Sequence, residues 1–141
     1  MQTIYAAVLL ALVAMACKPK PETPPAMNSS SVGIVNREWT LAQLGENTNP
    51  VGNGGKPVTL RLDSTERRAS GDAGCNRYSG PYYLTSDSLA FGPAISTKMA
   101  CDQGMDVETA FLSMLPNVRS YEANDSSLTL LGSAGPLARF R

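Results

Sequence analysis

The sequence has no histidine, one tryptophan, three cysteines and no net charge, its twelve basic residues matching its twelve acidic ones over 141 residues. Each shortage excludes something. Without imidazole there is no Ser-His-Asp or Cys-His nucleophile pair and no histidine metal ligand, so the commonest routes to hydrolase chemistry and zinc binding are closed. The charge balance removes the electrostatic case for nucleic acid, or an anionic membrane surface, as a partner. The length suits one domain around one core.

What is present begins with an address. From Ile4 to Ala16 the chain is uncharged and apolar or small, and Cys17 follows at once. At 1.5 Å per residue a helix over this run reaches about 20 Å, short of the ~30 Å hydrocarbon core, so it has the length of a signal-peptide h-region rather than a lasting span. Val13-Ala14-Met15-Ala16-Cys17 resembles a bacterial lipoprotein lipobox, although Ala14 stands where Leu is usual and Met1-Gln2-Thr3 adds no basic side chain. The resemblance implies a diacylated Cys17 as the first mature residue. An ordinary cleaved signal and an uncleaved anchor are the other readings. Each buried methylene contributes roughly 0.8 kcal/mol, so two or more acyl chains would hold the protein firmly on a membrane.

The following run, Lys18 to Ser31, is dense in Pro and Ser and has almost nothing to bury, so it reads as a tether with an extended Pro-rich half. Lys18 is not the Asp that resembles an inner-membrane retention signal, which favours the outer membrane, facing the periplasm. The expected organisation is a signal over 1–16, a lipidated Cys and tether over 17–33, and one folded domain over 34–141.

In that domain Val58, Leu60 and Leu62 alternate with Thr59, Arg61 and Asp63, the period of a strand with one face inward. The same reading marks strands near Trp39–Leu44, Arg67–Gly71, Tyr78–Leu84, Ser88–Phe91, Val118–Tyr121, Leu128–Leu131 and Leu137–Phe140, with Asn47 to Gly55 as a turn region. One segment changes period: Val107, Phe111, Met114 and Leu115 fall at i, i+4, i+7 and i+8, a helix stripe. Asp102 or Gln103 is expected at its cap, Asp106 and Glu108 at the positive end of its dipole, and Pro116 at its stop. The predicted fold is α+β, a small antiparallel sheet or open barrel of about eight strands packed with one main helix.

The densest cluster of unusual residues is Ser70-Gly71-Asp72-Ala73-Gly74-Cys75-Asn76-Arg77-Tyr78-Ser79-Gly80, followed by Ser96-Thr97-Lys98-Met99-Ala100-Cys101. With Trp39-Thr40-Leu41 ahead of it, Phe111-Leu112 in an acidic helix and Leu128-Thr129-Leu130 at the close, this order of motifs resembles the META domain, or HslJ-like, family. The resemblance implies a compact α+β domain, found on heat-inducible or envelope lipoproteins, with no known catalytic activity. The family's fold has been likened to pilotins, lipoproteins that hold a hydrophobic tail of a partner in a groove.

The residues themselves read consistently. Gly71, Gly74 and Gly80 permit positive φ or close backbone approach, and Asn76 can bond local backbone. A structural corner is the expectation; a ligand-contacting corner of Asn76, Arg77 and Tyr78 is the alternative. A dinucleotide loop is dismissed because the strand-to-helix context is missing. With Cys17 acylated, Cys75 and Cys101 remain as an even pair, expected to form a disulfide in an oxidising compartment, with free thiols or a redox or metal role as alternatives.

Asp102, Asp106 and Glu108 fit helix capping better than a metal or general-acid cluster, Arg67-Arg68 a solvated strand edge, and Trp39 the core rather than an exposed binding site. The expected function is that of a non-enzymatic envelope lipoprotein, held to the membrane through Cys17, whose domain binds or supports another envelope component, including under stress. No catalytic residue, metal or cofactor is expected. A pilotin-like chaperone for a hydrophobic peptide or acyl chain is the runner-up, to be recognised by an apolar groove beside Val107 and Phe111. An enzyme of unfamiliar type is the third reading.

Overall fold

The computed structural model describes residues 33–141; the signal, Cys17 and the tether up to residue 32 lie outside them. The described residues form ten strands: β1 (Glu38–Leu44), β2 (Asn47–Thr48), β3 (Thr59–Asp63), β4 (Arg68–Asp72), β5 (Arg77–Leu84), β6 (Leu89–Phe91), β7 (Ile95–Ser96), β8 (Ser120–Ala123), β9 (Leu128–Gly132) and β10 (Gly135–Phe140). One helix, α1 (Met105–Met114), lies between β7 and β8. Strands pair in the order β6-β5-β4-β3-β1-β10-β9-β8, with β2 on β1 and β7 on β5, and every pairing is antiparallel.

The sheet curls until its two ends touch. Ser88 and Ser120 form a single bridge, and the Leu89 N–H donates to Arg119 O at 3.2 Å. The path therefore stops one bridge beyond an open sheet, leaving a barrel with a narrow seam. The alternation read at Val58 to Asp63 is the inward face: Leu60 and Leu62 are buried and Arg61 is exposed. Trp39 is fully buried, its indole N–H donating to Ile34 O at 2.9 Å, so the chain just before β1 is fastened to the core. The Arg37 guanidinium lies 4.0 Å from the Trp39 ring, a cation–π contact.

The helix delivers its stripe as its spacing predicts. Val107, Phe111 and Met114 are buried, and Phe111 meets Tyr78 and Phe140 edge-on, with ring centroids 5.3 and 6.4 Å away. The stripe closes the core where β5 begins.

The expected α+β sheet of about eight strands with one main helix is the eight-stranded path, to which the two-residue strands β2 and β7 are added. Three local expectations are corrected. Val118 is buried after a short 3-10 turn, Leu115–Asn117, and the strand begins at Ser120. The helix cap is Gly104 in the left-handed region at φ 82, without a side-chain bond, rather than Asp102 or Gln103. Arg68 stands on an interior strand, not an edge, and its Nε and Nη2 donate to Ser79 Oγ at 3.2 and 3.0 Å.

Candidate functional site

The cysteine-bearing corner assembles segments that are distant in sequence. Cys75 and Cys101 form a disulfide, with Cα atoms 5.9 Å apart and 26 residues of separation, tying the turn before β5 to the segment before α1. Asn76 fills the capacity of its amide. Its Nδ2 donates to Met99 O at 3.1 Å and Glu108 Oε1 at 3.0 Å, while its Oδ1 accepts from Met99 N and Thr97 Oγ1, both at 2.8 Å. Its bonds run to residues more than twenty positions away, beyond the local bonding expected of it.

Glu108 lies where its sequence position predicts and carries a second role that the sequence did not signal. It lies in the first turn of α1, as dipole compensation requires, but its side chain is buried and turned into the corner. Oε2 accepts from the Cys75 and Asn76 N–H groups at 3.1 and 2.6 Å, and Oε1 accepts from Asn76 Nδ2. Consecutive backbone N–H groups after a glycine form an anion-binding concavity, and the protein supplies the anion itself. The only hint in the sequence was an acid on the apolar side of the helix, next to Val107.

Glycine is required where backbones meet. A Cβ on Gly52 would stand 2.2 Å from Gly74 O, and one on Gly104 2.6 Å from Asn53 N. The Asn53 N–H donates to Gly74 O at 2.7 Å, so the loop after β2 is fixed to the same corner. Gly71 and Gly80 lie within β4 and β5 at close approaches to Thr59 and to Pro93-Ala94.

Of the alternative ligand-contacting set, two members are used internally. Asn76 is saturated, and Tyr78 is buried with its hydroxyl donating to Thr59 O at 3.0 Å. Burial, then the Asp72 carboxylate, pushes the Tyr78 hydroxyl well above its ordinary pKa of 10.0. Only Arg77 is exposed, lining a pocket of about 420 Å³ with Ser79, Ile95 and Thr97. Asp102 and Asp106 are exposed and do not join Glu108 in a cluster. Among the described residues no group of three or more Cys, Asp or Glu converges as a metal-ligand set. No helix among the described residues is long and apolar enough to cross a membrane.

At the far end of β5 lies a pocket of about 520 Å³, walled by Val35, Ser64, Arg67 and residues 82 to 85. It draws on three separated segments, and sequence reading gave it no signal.

A nearly closed antiparallel barrel, plugged at one end by a short helix whose acid locks a glycine-cysteine-asparagine corner, defines a small α+β domain built around that corner. The chain belongs to the META domain family, whose model matches residues 32–141. It is similar to a protein from Burkholderia xenovorans solved by NMR, with 28% identity and a TM-score of 0.63 over 91% of this chain and 97% of that one. A second protein solved by NMR shares the fold at 19% identity, with a TM-score of 0.57 over 79% of this chain and 92% of that one. No curated protein matches.

Proposed function

We propose that the protein is a non-enzymatic lipoprotein of the bacterial envelope, anchored through acylated Cys17, whose META domain binds or supports another envelope component. The observation that carries the reading is the saturated corner. Asn76, Tyr78 and Glu108, the polar groups that a reaction at the motif would use, each hold the fold together instead. The Val107/Phe111 stripe is likewise committed to the core, which supports this reading over a chaperone that receives a hydrophobic tail at that helix. The lipobox-like Val13–Cys17 run supports the anchor.

Two measurements test it. Cys17→Ser is expected to abolish acyl labelling and to release the protein into the soluble fraction; a variant that remains cleaved and membrane-bound removes the anchor. In-cell crosslinking from Arg77 and from the exposed face of α1 at Thr109 is expected to capture a specific envelope component. Capture of nothing specific from either position removes the binding module.

A further inference from the structure

The pocket at the C-terminal end of β5 is lined by no residue of the cysteine-bearing corner and by none of α1, and two residues with positive φ stand at its rim. Arg67 closes the turn between β3 and β4 at φ 52, in the left-handed region where a glycine or asparagine is the low-energy choice. Only two other non-glycine residues among those described have positive φ, and one of them, Asn36, stands at the same rim. Asn36 follows Val35, its Nδ2 donates to Ser64 Oγ at 2.7 Å, and its Oδ1 accepts from Ser64 N at 3.0 Å. Of the two, Asn36 adopts this conformation at little cost and Arg67 carries the strain, which persists where the surrounding structure over-determines it.

The walls combine three chemistries. Tyr83, 66% exposed, lines the pocket together with half-buried Val35 and Leu84. Arg67 brings an exposed guanidinium. Its charge reaches the Tyr82 hydroxyl, whose pKa burial and then Asp63 push up while Arg67 opposes them. Asp63, at the start of this turn, is engaged with it: its Oδ1 accepts the Thr65 and Glu66 N–H groups, both at 2.8 Å. Ser64 adds a hydroxyl. A mostly apolar cavity of this size with a few convergent polar groups is the usual form of a small-ligand site.

We propose that this pocket binds a ring-borne carboxylate, with the Arg67 guanidinium on the carboxylate and the Tyr83 ring against the face of the ligand's ring. Guanidinium pairs with carboxylate through parallel N–H bonds, and an exposed aromatic face with apolar neighbours fits a ring better than an extended chain. Acidic sugars and aromatic acids share this chemistry.

The test is a titration of the full-length protein, followed by the NMR shifts of the Tyr83 ring and Leu84 methyls. The probes are glucuronate and benzoate, each against its neutral counterpart, methyl glucoside or benzamide. At least one carboxylate is expected to give saturable shifts confined to this pocket, binding about tenfold more tightly than its neutral counterpart. Which of the two saturates identifies the source of the ring. Arg67→Gly is expected to erase that tenfold preference while the Tm stays equal or rises, because glycine relieves the left-handed strain. Tyr83→Leu, which keeps an apolar wall, is expected to weaken both members of the pair together. The proposal is overturned if neither acid saturates, if neutral and charged probes bind alike, or if Arg67→Gly keeps the preference.

Discussion

The two ends of β5 are built by opposite rules. At its N-terminal end the buried polar side chains of the glycine-cysteine corner are paired inside the protein, and the one buried carboxylate there meets N–H groups of the protein rather than a solute. At its C-terminal end, about 25 Å away at a strand rise of ~3.3 Å, a cavity stays open, a tyrosine is exposed and an arginine holds a backbone conformation it disfavours. The residues that most stand out in the sequence therefore stabilise the domain, whereas those arranged like a binding site are unremarkable in sequence. Stability and recognition lie at opposite ends of one strand.

The largest effect that would break this contrast belongs to Glu108. Glu108→Ala leaves three buried N–H donors without their acceptor, and at about 1–3 kcal/mol for each orphaned group the expected loss is about 4 kcal/mol. Denaturant unfolding measures it. The same truncation at the other end, Tyr83→Ala, is expected to stay within about 0.5 kcal/mol, as an exposed side chain should. If the two losses were similar, the division between a structural and an open end would fail.

Next comes the disulfide. Closing a loop of 26 residues restricts the unfolded chain by about 3.5 kcal/mol in the chain-entropy account. Cys75→Ala with Cys101→Ala is expected to lower the unfolding free energy by nearly that amount. Hydrogen exchange in the pair variant should rise first at residues 97–104 and not at the Tyr83 end, because between Met99 and Gly104 the segment then keeps only a few bonds, chiefly those of Asn76 to Met99.

How much of this was legible in the sequence follows the same contrast. The inward row Leu60 and Leu62, the buried Trp39, the helix stripe and the cysteine pairing are each local patterns, or elimination among few candidates, and the structure shows all of them. The second role of Glu108 was illegible because an acid in a first helical turn already has a sufficient local explanation, which holds; only the fold brings Cys75 and Asn76 to it. Gly104 took the cap because its neighbours Gly52 and Asn53 leave no room for a side chain, a contact some fifty residues away in sequence. Strands of two residues such as β2 and β7 have no period to read. The open pocket was invisible because Val35, Arg67 and Tyr83 come from segments that meet only once β1, β3, β4 and β5 have paired.

A smaller effect sharpens the contrast through pH. Tyr78 sits beneath the corner with its hydroxyl pKa raised above 10.0, so the folded protein keeps a proton that the unfolded chain releases. Its contribution is fully present below about pH 10 and is lost as pH rises beyond that. Tyr78→Phe is expected to cost about 1–2 kcal/mol at neutral pH, through the lost bond to Thr59 O, and to flatten the alkaline fall in stability. An unchanged slope in the variant would assign alkaline unfolding to another group.

The smallest effect has the opposite sign, and the sign is what matters. Arg67→Gly replaces a side chain at φ 52 with the residue that adopts that conformation freely. Relief of the left-handed strain, about 1–2 kcal/mol, is offset by the extra backbone freedom glycine gives the unfolded chain, about 0.5–1 kcal/mol. The net expectation is a gain of up to about 1 kcal/mol in unfolding free energy. A turn shaped only by folding would have little reason to hold an arginine there, since most substitutions away from a structural optimum destabilise. A loss on Arg67→Gly would mean that the guanidinium stabilises the turn or its neighbours, and the two ends of β5 would then follow the same rule. A gain shows that the turn itself has no need of the arginine, and the contrast between the two ends of β5 stands.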